Sequence, residues 1–131
     1  MTDIPAPFSV MLIDDDRFLL DMYAKKFGDE GYAVHAFPSV REALEALRGG
    51  VAPDAIVFDL TMPQEDGFDL LRALRDEALA PSARKIVLTN QSSEEEESRT
   101  KELGADAFIV KATLIPSEVF GTIDTMLRTR R

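Results

Sequence analysis

Cysteine is absent from the 131 residues, so disulfides and thiolate chemistry are excluded. Histidine occurs once, at His35, which argues against a zinc site or a Ser-His-Asp triad and leaves His35 as a structural residue of a weak strand. No apolar stretch approaches the ~20 residues needed to span a bilayer. The opening residues Met1–Pro7 lack the basic and apolar regions of a signal peptide, so the expected location is the cytoplasm, with no membrane partner. Positive charge is scarce: 15 Lys and Arg stand against 24 Asp and Glu, a net charge of -9. That balance disfavours nucleic acid as a direct partner, because phosphate binding needs a basic patch. Repeats and linkers are missing too, and the acidic run Glu94–Glu97 is the one biased segment. The length suits a single domain, 1–131 with a core from about 8 to 128, able to bury one good core.

Alternation is what the chain does have. Apolar runs fall at Val10–Ile13, Ala55–Phe58, Ile86–Leu88 and Phe108–Val110, with a weaker one at Ala33–Phe37. Helical spacing lies between them. The first helix is expected over Arg17–Asp29, capped by Asp16, with Phe18 and Met22 on one stripe and Leu19, Tyr23 and Phe27 on the next. Ser39 and Glu42 form a capping-box pair for the second, which Gly49 and Gly50 end. The third follows Asp66 and presents Phe68, Leu71 and Leu74. The fourth, about Ser93–Leu103, has no large apolar residue between Ser93 and Glu102, so its docking is expected to be weak. Its acids read either as a solvated helix face or as part of a loosely held helix that shifts. The fifth starts near Pro116 and carries Val119, Ile123, Met126 and Leu127. Five strand-helix units argue for an α/β fold, a doubly wound five-stranded parallel sheet with five helices. Four of the strands read as continuous apolar runs, as a sheet covered on both faces requires.

In a parallel sheet the residues that end the strands share one edge. Here they are Asp14, Asp15 and Asp16 after Ile13, Asp59 after Phe58, Thr89 after Leu88 and Lys111 after Val110. Carboxylates, a hydroxyl and an ammonium therefore converge. Like charges so placed raise one another's pKa or recruit a cation. Mg²⁺ suits such an all-oxygen set. Lys111 can bind Asp59 at rest and a phosphoryl oxygen later, and Thr89 can donate to the same group. A carboxylate can attack phosphorus to form an acyl phosphate, with the cations stabilising the transferring group. The parts suit phosphoryl transfer onto Asp59.

These residues resemble the receiver domains of two-component response regulators. The resemblance runs from about Val10 to Leu127 through Ile13-Asp14-Asp15-Asp16, Phe58-Asp59-Leu60-Thr61-Met62-Pro63, Asp66-Gly67, Leu88-Thr89, Gly104-Ala105-Asp106 and Ile109-Val110-Lys111. It implies the flavodoxin-like strand order 2-1-3-4-5. It implies a phosphoprotein rather than an enzyme, with Asp59 the phosphoacceptor and a sensor histidine kinase or histidine phosphotransfer protein the donor. Asp14 and Asp15 match the family's acidic pair. Asp15, Asp59 and the backbone carbonyl of Thr61 match its Mg²⁺ ligands. Thr89 matches the switch hydroxyl and Phe108 the switch aromatic. The output surface it implies is that of the fourth helix, fifth strand and fifth helix, and the readout is a downstream protein, a self-dimer or a further domain.

Two positions depart from the pattern. The family usually has proline after its lysine, in a cis peptide, where this chain has Ala112. A cis bond before a non-proline costs ~3 kcal/mol, so either a trans bond with a rearranged loop or a strained cis bond is expected. Asn90 replaces the usual alanine or glycine and is expected to narrow access to the phosphoryl group. With Gln91 and Thr61, at positions that tune hydrolysis in the family, it implies slow decay of the phosphorylated state. Other readings of the same parts are a Mg²⁺-dependent aspartyl-phosphate phosphatase, a receiver-like interaction module without phosphorylation, and a nucleotide or flavin binder. The first would place a second aspartate where Thr61 stands. The second would have lost an acid or the lysine. The third lacks a glycine-rich loop after its first strand.

Overall fold

Strands and helices alternate without exception from Ser9 to Arg128: β1 (Ser9–Ile13), α1 (Arg17–Asp29), β2 (Ala33–Phe37), α2 (Val40–Arg48), β3 (Ala55–Phe58), α3 (Gly67–Asp76), β4 (Arg84–Thr89), α4 (Glu94–Glu102), β5 (Ala107–Val110) and α5 (Pro116–Arg128). The structure is a computed structural model and describes residues 8–90, 93–111 and 114–129. Met1–Pro7, Gln91 and the peptide between Lys111 and Ala112 lie outside the described residues.

All strand pairs are parallel, in the order β2-β1-β3-β4-β5. That is the expected doubly wound, flavodoxin-like arrangement. The three inner strands β1, β3 and β4 are the most deeply buried because helices cover both of their faces. Their side chains alternate between two cores. Met11, Ile13, Ile56, Phe58 and Val87 pack with α2 and α3, while Val10, Leu12, Val57, Ile86 and Leu88 pack with α1 and α5. β2 is an edge strand, and no residue of it is fully buried.

Caps form at Asp16 and Ser39, as expected, and also at Asp66 and Ser93. Asp16, Ser39, Asp66 and Ser93 each accept a hydrogen bond from a backbone N–H of their helix, at 3.0–3.2 Å. Asp66 and Asp69 complete a reciprocal capping box on α3. The buried face of α1 differs from the one expected. It consists of Leu20, Tyr23 and Phe27, and Phe18 is 76% exposed. Leu19 and Leu20 in the same turn already pack on the second core, so Phe18 is exposed because it lies off the face that Leu20, Tyr23 and Phe27 bury. Weak docking of α4 is borne out in its chemistry. Its one buried residue is Thr100, whose hydroxyl donates to Glu97 O at 2.8 Å. Arg99 lies over the ring of Phe68 in α3, 4.2 Å from its centroid.

Candidate functional site

The carboxyl ends of β1, β3, β4 and β5 deliver polar side chains to the same place. Asp14 follows β1 and is held by its own N–H, which donates to Phe37 O at 3.2 Å. Asp59 follows β3, and its N–H donates to Ile13 O at 3.2 Å. These ladder bonds fix both aspartates before their side chains do anything. Lys111 follows β5. Its Nζ donates to Asp14 Oδ2 at 2.8 Å and to Asp59 Oδ2 at 3.0 Å.

The remaining oxygens are also engaged. Asp14 Oδ1 accepts from the N–H of Asp16 at 2.9 Å, and Asp59 Oδ1 accepts from the N–H of Thr61 at 3.2 Å. Asp14, Asp59, Thr89 and Lys111 are only 5–7% exposed. They nevertheless border an open pocket of about 490 Å³, lined also by Asp15, Asp16, Thr61, Asn90 and Glu96. So the site is dry underneath and wet at its mouth.

The charges do not balance. Burial pushes the Asp14 carboxyl above its ordinary value, and this outweighs the opposing pull of Lys111 and the Asp16 N–H. Burial also opposes the charge on Lys111. The hydrogen bonds and charges of Asp14 and Asp59 more than offset it and hold the ammonium above its ordinary value. One cation thus serves two buried carboxylates, and Asp14 keeps the strain. Carboxylate oxygens of Asp14, Asp15 and Asp59 approach within 4.8 Å of one another. Three hard oxygen donors, an excess of negative charge and a mouth open to solvent fit a hard divalent cation such as Mg²⁺.

The sequence-predicted residues are therefore brought together, with some differences in detail. Thr89 is the last residue of β4 rather than the residue after it. The register sets Val87 opposite Phe108 and Thr89 opposite Val110. With side chains alternating along each strand, Thr89 and Phe108 share one face of the sheet. Phe108 is partly buried against the first core. The sharing of Lys111 between two aspartates, rather than its pairing with Asp59 alone, was not foreseen. Glu96 on the pocket wall was not foreseen either. Four consecutive glutamates look alike in sequence, and only the phase of α4 against the pocket singles one out.

Fold and site together define a doubly wound α/β module with an acidic, lysine-bearing pocket at the carboxyl edge of its sheet, and comparison with known proteins assigns its family. Residues 10–118 match the family described as the response regulator receiver domain, and the chain belongs to that family. The transcriptional regulatory protein CreB of Escherichia coli K12 is 32% identical over 120 residues, covering 92% of this chain and 51% of its own length. QseB of E. coli O157:H7, also named a transcriptional regulatory protein, is 32% identical over 91% of this chain and 52% of its own. The chain thus spans about half the length of these curated relatives. Among solved structures, the chemotaxis protein CheY4 of Vibrio cholerae superposes with a TM-score of 0.84 at 28% identity, over 92% of this chain and 98% of that one. A receiver domain from Methanospirillum hungatei JF-1 gives 0.84 at 26% identity, over 93% and 94%. The protein is a receiver domain of a two-component response regulator, a module of phosphorelay signalling. Among the described residues no helix is long and apolar enough to cross a membrane.

Proposed function

We propose that Asp59 accepts a phosphoryl group from a sensor histidine kinase or a histidine phosphotransfer protein. The observation that carries this reading is Asp59 itself, a carboxylate at the mouth of a pocket with Lys111 already on one oxygen and the Thr61 N–H on the other. Its oxygens are oriented before a donor arrives. On transfer, an Asp59 oxygen forms the new bond to phosphorus as the P–N bond to the donor's histidine breaks and the imidazole leaves with the electron pair, while Lys111 stays in reach of the phosphoryl oxygens and Thr89 donates to them. Asp14, Asp15, Asp59 and the carbonyl of Thr61 would hold Mg²⁺. The ion would supply positive charge against both the carboxylates and the transferring group.

The phosphorylated side chain adds roughly two negative charges at the end of β3. Thr89 moves toward that charge, Phe108 on the same face follows, and the α4-β5-α5 surface changes for a downstream protein or a second copy. α4 is suited to yield, since polar contacts rather than a greasy face hold it. Direct nucleic-acid binding is not assigned to this acidic domain. DNA-directed output would belong to the further length that the regulators CreB and QseB possess.

Intact mass before and after treatment with acetyl phosphate and Mg²⁺ tests the acceptor. Wild type should gain one phosphoryl group and Asp59→Asn none; label on the variant sinks the assignment. The wall position of Asn90 supports slow decay. Asn90→Ala should shorten the phosphorylated lifetime several-fold, and an unchanged decay curve would remove Asn90 from the account.

A further inference from the structure

The pocket wall contributed by α4 bears a carboxylate that the proposed transfer has no use for. Glu96 lines the pocket together with Asp14, Asp15, Asp59, Thr89 and Lys111. It is half-buried, whereas Glu94 and Glu95 in the same turn are exposed. Its backbone is anchored at the start of α4, because the Glu96 N–H donates to the capping hydroxyl of Ser93 at 3.1 Å. Arg99, one turn along α4, is committed to the ring of Phe68 at 4.2 Å. Among the described residues Glu96 has no cationic partner, and Lys111 is taken by the two aspartates.

We propose that Glu96 is a specificity-determining residue, a fixed negative charge on the α4 wall that opposes free anionic phosphodonors. The inference rests on Asp59 being the phosphoacceptor. A small donor such as acetyl phosphate brings its whole negative charge into the pocket and must lie between Asp59 and the opposite wall. A sphere of the pocket's volume is about 10 Å across, which is comparable to a Debye length, about 10 Å at 0.1 M salt and about 8 Å at 0.15 M. Glu96 is therefore felt there through only partial screening. A donor with less negative charge, such as phosphoramidate with its protonated nitrogen, is opposed less. The chemical step is the same in both cases. A P–O bond forms to an Asp59 oxygen while the bond from phosphorus to acetate or ammonia breaks, and the leaving group departs with the electron pair. Glu96 acts on approach and touches none of the reacting atoms. Its effect is to insulate the resting domain from the metabolic pool of small acyl phosphates.

The test is the second-order rate of phosphorylation at saturating Mg²⁺, followed by intact mass, for wild type, Glu96→Gln, Glu96→Lys and Glu95→Gln. With acetyl phosphate, Glu96→Gln should be roughly three- to tenfold faster than wild type and Glu96→Lys faster still, as expected for one charge removed and then reversed at this range. The gain should shrink with added salt and be smaller with phosphoramidate. Glu95→Gln changes the net charge equally but lies outside the pocket wall, and should match wild type. Equal rates for wild type and Glu96→Gln, a gain shared by Glu95→Gln, or slower labelling in both Glu96 variants would each overturn the proposal. Absence of label on wild type would instead overturn the acceptor reading, and the gate with it.

Discussion

Lys111→Met should destabilise the domain by about 3 kcal/mol at neutral pH without divalent cation, read from the denaturant midpoint. The substitution keeps much of the side chain's volume and removes only its charge. Two carboxylates that share that charge at 2.8 and 3.0 Å are then left together. Breaking a buried ion pair typically costs about 3–5 kcal/mol. The open mouth of the pocket, where water can reach the exposed oxygens, puts this case at the lower end.

The pH dependence follows from the two shifts. The Lys111 ammonium sits above its ordinary 10.5 in the folded protein, so its contribution is fully present below about that pH and is lost as pH rises through the folded value. The Asp14 carboxyl sits above its ordinary 3.8, which has the opposite meaning. Its ionisation opposes folding, and stability falls as pH rises from 3.8 through the folded value. In Lys111→Met the alkaline loss should vanish and the acid-side recovery should grow. The gap to wild type should narrow below neutral pH as Asp14 takes up its proton. Millimolar Mg²⁺ should close part of the same gap, since a cation that binds only the folded state stabilises it by mass action. An unchanged midpoint in the variant would mean that the buried cation contributes nothing to folding.

Much of this site can be read in the sequence because parallel topology does the gathering. Once Val10–Ile13, Ala55–Phe58, Ile86–Leu88 and Phe108–Val110 are strands of one parallel sheet, the polar residues that follow them must meet at one edge. Asp16 and Ser39 were legible as caps because capping needs one short polar side chain at one backbone position. Phe18 was not legible. Periodicity groups apolar residues into stripes along a helix, but it does not say which stripe the core covers, and Phe18 falls outside the face of Leu20, Tyr23 and Phe27. The division of Lys111 between Asp14 and Asp59 depends on side-chain reach across three strands, and no spacing encodes that. The importance of Gly67 was visible only as part of a motif, and its physical cause appears with the coordinates.

That cause sets the second large expectation. Gly67→Ala should destabilise the domain by about 3 kcal/mol, although glycine to alanine inside a helix ordinarily stabilises by about 1 kcal/mol. A Cβ at Gly67 would lie 2.7 Å from the carbonyl oxygen of Asp59 and 2.9 Å from both Cα and Cδ2 of Leu60. Two of those three atoms are backbone and cannot rotate away. The Gly67 N–H also donates to Leu60 O at 3.0 Å, so the start of α3 is bonded to the segment that a methyl group would push. Either α3 retreats and exposes Phe68 and Leu71, or the Asp59–Leu60 peptide shifts and takes the carboxylate with it. Gly121→Ala in α5 is the matching control. A Cβ there meets nothing within 4 Å, and the ordinary helix gain of about 0.5–1 kcal/mol should appear. The two variants together separate propensity from contact. The site provides a further readout, because a shifted Asp59 should slow labelling by acetyl phosphate in Gly67→Ala and leave Gly121→Ala at the wild-type rate. A Gly67→Ala protein as stable as wild type, labelled at the wild-type rate, would show that the packing of α3 against the end of β3 can give way without consequence for the acceptor.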